Sequence, residues 1–204
     1  MKLVDLSIPI TEAMPVYPGD PQVVIKPAGN LQKDGFENHY LSIGTHAGTH
    51  IDAPRHMLES GKNLDAFSLE KFTGSGVCIQ IENKRFDLEK IKTANIQLGD
   101  IVFFYTGMSN DFDRPAYFEN YPTIPEEVAK YLIEKKVKLV GVDMCSVDHE
   151  EFIAHKLFLK HNILIIENLT NLSELVDKEF TVYAFPLKLQ LDGSPIRVVA
   201  EIEK

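Results

Sequence analysis

Three of the seven histidines in this 204-residue chain, His46, His50 and His56, fall within eleven positions, and Asp52 stands among them. An even spread would put well under one histidine in such a window, so the clustering needs a cause. Imidazole nitrogens and carboxylate oxygens are the usual ligands of zinc and its neighbours, and H-x3-H-x-D-x3-H reads as a ligand set. A helix cannot use all four residues. At about 100° per residue the step from His50 to Asp52 turns the side chain by roughly 200°, and Gly48 and Pro54 are poor residues for a helix interior. All four positions are even-numbered, so an extended segment would aim them at one face. A straight strand would still hold the His46 and His50 α-carbons about 13 Å apart. A bend at Gly44 and Gly48 is therefore expected, because glycine tolerates backbone angles closed to other residues.

Farther along the chain, Glu167 ends the apolar run Ile163–Ile166 and His155 lies near the apolar face of a predicted helix. An ionised carboxylate at the buried end of a strand needs either a cation or a nearby Arg or Lys. A histidine beside an apolar helix face is commonly a core residue, so His155 carries less weight on its own. A divalent cation held by such a set would lower the pKa of a coordinated water from 15.7 to about 7 and polarise a carbonyl, which suits amide or formamide hydrolysis. His56 can exchange protons near neutral pH and is the candidate donor to a departing nitrogen; its alternative is a fourth ligand. A rival enzyme reading makes Cys145 a nucleophile activated by His149. That spacing of four brings side chains together only on a helix, and Cys145 falls in a turn. A reading from another class is a metal-stabilised binding or regulatory protein without turnover. His39, His161 and the acidic run Asp148–Glu151 read as surface or packing residues, and Thr73-Gly-Ser-Gly-Val77 reads as a turn.

These residues must be carried by a strand-rich frame. Strand-like runs lie at 3–10, 40–46, 76–82, 101–105, 138–143, 162–166, 181–187 and 196–202. One helix is predicted from a Thr123–Glu126 capping box to about Lys136, with Pro125 in its first turn and Val128, Leu132 and Ile133 as its apolar stripe. A second is predicted over Asp148–Lys160. The latter half thus alternates strand, helix, strand, which implies a crossover and a partly parallel sheet, and the whole reads as one mixed α/β or α+β domain over residues 1–204. Hydrophobic residues are 44% and charged residues 25%, as in ordinary globular chains. A net charge of −9 opposes nucleic acid and anionic membrane as partners. No apolar run approaches the length of a membrane span, and Asp5 interrupts any signal-peptide core, so a cytoplasmic location with reduced Cys78 and Cys145 is expected.

The chain resembles the metal-dependent hydrolases of the cyclase family, which includes bacterial kynurenine formamidases. The likeness rests on Val4-Asp5-Leu6-Ser7, Tyr17-Pro18-Gly19-Asp20, the His46–His56 motif and Leu98-Gly99-Asp100 leading to Thr106-Gly107. It continues through Gly141-Val142-Asp143, Ser146-Val147-Asp148, and His155 to Glu167-Asn168-Leu169. The resemblance implies a compact fold of strand-rich mixed sheets flanked by helices, of the swivelling β/β/α kind, and a homo-oligomer, dimer or tetramer. It implies that His46, His50 and Asp52 hold one metal and that Asp52 and Glu167 share a second with His155. Zinc is the first choice of metal and manganese the second, with one or two ions per chain. His56 would be the acid/base that is not a ligand. Tyr17 stands where the formamidase has a Trp for the substrate's aromatic ring, and this chain has no Trp. A small-molecule substrate follows: N-formylkynurenine first, a cyclic amide such as an isatin-like lactam second, a small ester or polyketide-type compound third.

Overall fold

A computed structural model describes residues 1–202. Its strands and α-helices run β1 (Lys2–Asp5), β2 (Val24–Gly29), α1 (Leu31–Asp34), β3 (Asn38–Ser42), β4 (His50–Asp52), β5 (Thr73–Gln80), α2 (Leu88–Thr93) and β6 (Ile101–Tyr105). There follow α3 (Glu126–Lys135), β7 (Leu139–Val142), α4 (Ile153–Lys160), β8 (Leu164–Glu167), β9 (Phe180–Tyr183), β10 (Gly193–Pro195) and β11 (Val199–Ile202). One nine-stranded sheet has the order β1-β11-β9-β5-β6-β7-β8-β4-β10, and β2 and β3 pair apart from it. The strands β5, β6, β7 and β8 are mutually parallel, and the sheet's other pairings are antiparallel. The fold is therefore the expected mixed α/β single domain, with few helices.

Central β6 reads Ile-Val-Phe-Phe-Tyr because both of its faces are covered. Ile101 and Phe103 point into a cluster with Leu139, Leu164 and Ile166, while Val102 and Phe104 join Val128, Leu132 and Phe158 of the helices on the other face. Full burial of each Phe contributes about 1.5–3 kcal/mol. Val4 of β1 and Ile51 of β4 come from nearly opposite ends of the sheet yet share the Phe103 cluster, so the sheet curls around that core.

Several local expectations are corrected. The Thr73–Val77 stretch is the start of β5 and no turn; Phe180 crosses it so closely that a Cβ on Gly76 would lie 2.0 Å from the ring. The helix predicted from Thr123 starts at Glu126 behind Pro125, and no side chain caps it. The amide of Ile124 is taken instead by the Val147 carbonyl at 2.8 Å, which holds the chain extended there. The helix predicted from Asp148 starts at Ile153, because Glu151 and Phe152 adopt left-handed backbone angles (φ +79° and +49°). No helix among the described residues is long and apolar enough to cross a membrane.

Candidate active site

The site is built on the shortest strands. His50 and Asp52 sit two apart on β4 and so share a face, while β8 on one side sets Glu167 opposite His50 and β10 on the other sets Gly193 opposite Asp52. The bend expected at Gly44 and Gly48 is present, but the extended face carries only His50 and Asp52 of the four motif residues. Gly48 takes φ +62°, and a turn closed by the Ala47 amide on the Gly44 carbonyl folds His46 back. His46 Nδ1 thereby comes 2.7 Å from Asp52 Oδ1. His56 lies on a 3-10 turn, Pro54–His56, and its ring stands 3.9 Å from that of His46, centroid to centroid.

His155 arrives on the first turn of α4. Its Nε2 lies 3.2 Å from Glu167 Oε1 and 3.8 Å from Asp52 Oδ2. His50 Nε2 lies 3.4 Å from Asp52 Oδ1 and 3.5 Å from Glu167 Oε2. Five of the residues singled out in the sequence, His46, His50, Asp52, His155 and Glu167, therefore converge, and His56 stands beside them. The sequence places the acidic run 148–151 at the surface or in packing roles, and Asp148 departs from that. It is buried, its Oδ1 lies 2.5 Å from His155 Nδ1, and its Oδ2 accepts the His155 backbone N–H at 3.1 Å. One carboxylate thus caps the start of α4 and fixes the ring that α4 carries.

Each of these three imidazoles has one nitrogen turned outward to an acceptor: His46 Nε2 to Asp192 at 2.9 Å, His50 Nδ1 to the Gly48 carbonyl at 2.8 Å, His155 Nδ1 to Asp148. Their other nitrogens face Asp52 and Glu167. That is the arrangement metal-ligating histidines adopt, because an acceptor on the far nitrogen leaves the near lone pair free for an ion. Asp52 Oδ2 is buried without any hydrogen-bond partner among the described residues, a costly state for a carboxylate oxygen. Ligand atoms of His50, Asp52 and Glu167 lie within 4.8 Å of one another, as do those of His46, Asp52 and His56. The residues present fit a divalent cation.

Electrostatics agree. Burial disfavours charge on His46, but Asp52 and Asp192 outweigh it and hold its pKa at about 9. His155 is likewise opposed by burial and carried to about 10 by Asp148 and Glu167. Burial would raise Asp52, yet His50 and His46 lower it. Without an ion, protons on the imidazoles compensate two buried carboxylates, and a cation would take their place. His56 differs: burial, then His46 and His155, push it down against the pull of Asp52.

A cavity of about 230 Å³ opens over these groups. Its apolar wall includes Tyr17, Met57, Phe112, Phe118 and Phe152. Tyr17 stands edge-on to Phe118 at 6.2 Å, and Phe152 edge-on to His155 at 6.0 Å. A left-handed φ on a bulky residue is costly, and at Phe152 it accompanies a ring placed in the cavity wall. The rival reading loses its chemistry. The Cys145 thiol donates to the Tyr117 carbonyl at 3.6 Å, and burial with Glu167 pushes its pKa well up, while the His149 ring packs on Tyr121.

Asp192 escaped sequence reasoning, since Leu-Asp-Gly resembles any surface turn. Gly193 after it was the available signal: a Cβ there would lie 2.7 Å from His46 Cε1, so only glycine lets the His46 ring lie against β10. Asn168, noted only within the family likeness, donates to the Gly48 carbonyl at 2.9 Å and accepts from the buried Tyr117 hydroxyl at 2.7 Å, which anchors the Gly48 bend.

Comparison with known proteins adds the following. A kynurenine formamidase of Bacillus mycoides is 30% identical over 201 residues, covering 96% of this chain and 95% of its own. A solved structure described as a potential metal-dependent hydrolase with cyclase activity is 30% identical, with TM-score 0.83 over 98% of this chain and 96% of that one. Isatin hydrolase A from Ralstonia solanacearum is 25% identical, with TM-score 0.88 over 99% and 92%. The model of the Cyclase family, described as "Putative cyclase", matches residues 4–149, and with near-full-length relatives at 30% identity this chain belongs to the Cyclase family.

Proposed function

We propose that this chain is a metal-dependent hydrolase of an aryl formamide, N-formylkynurenine foremost. The observation that carries the reading is the convergence of three outward-tethered imidazoles on two buried carboxylates at the base of an aromatic-walled cavity. His46, His50 and Asp52 would hold one divalent ion, and Asp52, His155 and Glu167 a second, with zinc the first choice and manganese the second. A cation bound there supplies Lewis acidity toward a carbonyl and lowers the pKa of water. The protein's own groups do the rest. Tyr17, Phe118 and Phe152 receive the aromatic ring and exclude water from its faces. His56 takes a proton from the water that attacks the formyl carbon and returns it to the amine nitrogen as the C–N bond breaks, so free amine and formic acid leave, the acid ionising to formate and a proton released to solvent, and the imidazole ends neutral.

A second reading, opening of an isatin-like lactam, draws support from the likeness to isatin hydrolase A and needs the same groups. A substrate panel on protein reconstituted with Zn²⁺ or Mn²⁺ separates the two: N-formylkynurenine should be turned over at least tenfold faster, by kcat/KM, than isatin or a simple aryl ester. Preference for isatin would install the lactam reading, and full metal content with no turnover of any of them would favour a binding protein.

We also propose a homo-oligomer. The β2–β3 ribbon pairs apart from the main sheet, β3 is exposed throughout, and it carries exposed Tyr40 on one face and exposed Leu41 on the other, with exposed Phe36 just before it. A two-stranded ribbon is marginal alone, so a second copy packed against it would stabilise it. Light scattering should give a dimer or tetramer; a monomer at micromolar concentration refutes this.

A further inference from the structure

The carboxylates behind the imidazoles differ in kind. Asp148, behind His155, is buried, whereas the Asp192 side chain, behind His46, is one-third exposed (34%) and lies at the rim of the site. Its placement comes from backbone. The Asp192 carbonyl accepts the Ala53 N–H at 2.8 Å, one residue ahead of the turn that carries His56, and the next residue, Gly193, pairs with Asp52 across β10 and β4. Thr45 Oγ1 steadies the other carboxylate oxygen, Oδ1, at 3.4 Å. Oδ2 then faces two rings, His46 Nε2 at 2.9 Å and His56 Nδ1 at 3.6 Å.

A neutral imidazole carries its proton on one nitrogen, and a carboxylate can only accept. We propose that Asp192 is the positioning residue of this site: it draws the His46 proton to Nε2, turns the Nδ1 lone pair toward Asp52, and holds the rings of His46 and His56 in their close approach. The proposal rests on the metal-dependent hydrolase reading and extends it to a residue outside the histidine motif. Because the same backbone that seats Asp192 also registers β10 against β4, the carboxylate and the ligands it orients are set in one step of sheet pairing. Tautomer control of this sort gives a partly exposed acceptor at the rim a role, since partners on the far nitrogen are worth about 10- to 100-fold in metal affinity.

The test is Zn²⁺ binding by equilibrium dialysis against a competing chelator, with Asp192→Ala and Asp192→Asn prepared in the full chain. Asp192→Ala should weaken zinc at least tenfold while its metal-free melting temperature stays within a few degrees of wild type. Asp192→Asn keeps an acceptor oxygen at the same reach and should recover most of the loss, which a bulk structural role would not predict. With Co²⁺ as the probe, Asp192→Ala should also shift the visible absorption and Asp192→Asn should restore it. Zinc binding by Asp192→Ala equal to that of wild type overturns the proposal alone. A wild-type chain that binds no zinc overturns the metal reading together with it.

Discussion

Replacement of Asp52 by Ala should abolish both metal retention and hydrolysis, the largest effect expected of any single change. Asp52 is fully buried, touches His46 and His50 through Oδ1, and presents Oδ2 toward His155 with no hydrogen-bond partner among the described residues. Removing it strips the negative charge that lets a cation, or the protons that replace one, sit among three imidazoles. Breaking a buried charged pair from one side costs about 3–5 kcal/mol, so the variant should also unfold at lower denaturant concentration. Asp52→Asn separates the two effects: it keeps the shape and loses the charge, and should fold better than Asp52→Ala while remaining without metal. Elemental analysis decides the matter, and a full complement of metal in Asp52→Asn would remove Asp52 from the ligand set.

His56→Ala should behave in the opposite way. In its proposed role as proton carrier, His56 would be lost without loss of metal, so metal content and melting temperature should match wild type while kcat falls by about 10²-fold or more. Aryl formamides with electron-withdrawing rings should suffer less, because their amines leave with less protonation. The geometry makes the alternative concrete, since ligand atoms of His46, Asp52 and His56 also lie within 4.8 Å of one another. Metal lost in step with activity would place His56 among the ligands, and Tyr17 at the cavity rim would be the next proton donor to test.

The parts of the site legible in the sequence were those written close together. His46, His50 and Asp52 announced themselves by type and spacing, and Glu167 by a charge at the end of an apolar run. His155 needed the family likeness, because a histidine on an apolar helix face has an ordinary explanation. Asp192 stayed hidden because it acts across the fold, on a ring 146 positions away, and nothing local distinguishes an acid in Leu-Asp-Gly from a solvated one; Asp148, only 7 positions from His155, stood in the family likeness but is masked by the acidic residues that follow it. In the fold, β6 and β7 were plain from their buried apolar runs, whereas β4 and β10 have three residues each, too few for any period to show. The capping box at Thr123 failed for a related reason. The Ile124 amide is claimed by a carbonyl from beyond β7, and that tertiary bond outweighs a local preference worth about 1 kcal/mol.

The position of β4 between β8 and β10 would also govern the order in which the chain meets a bound ion. His50 and Asp52 find their sheet partners only after loops of more than a hundred residues close, and contacts of such long range form slowly. His46, His50 and Asp52, by contrast, are near neighbours along the chain and are available to an ion before any sheet exists. An ion taken up early would be held by this local trio in the unfolded chain, and that affinity would subtract from the stabilisation it gives the native state. In the proposed site, only Glu167, His155 and the Asp192 carboxylate, which reach the trio from more than a hundred residues away, would favour the folded form over the trio alone. The distant residues would therefore decide whether such an ion drives folding or merely accompanies it.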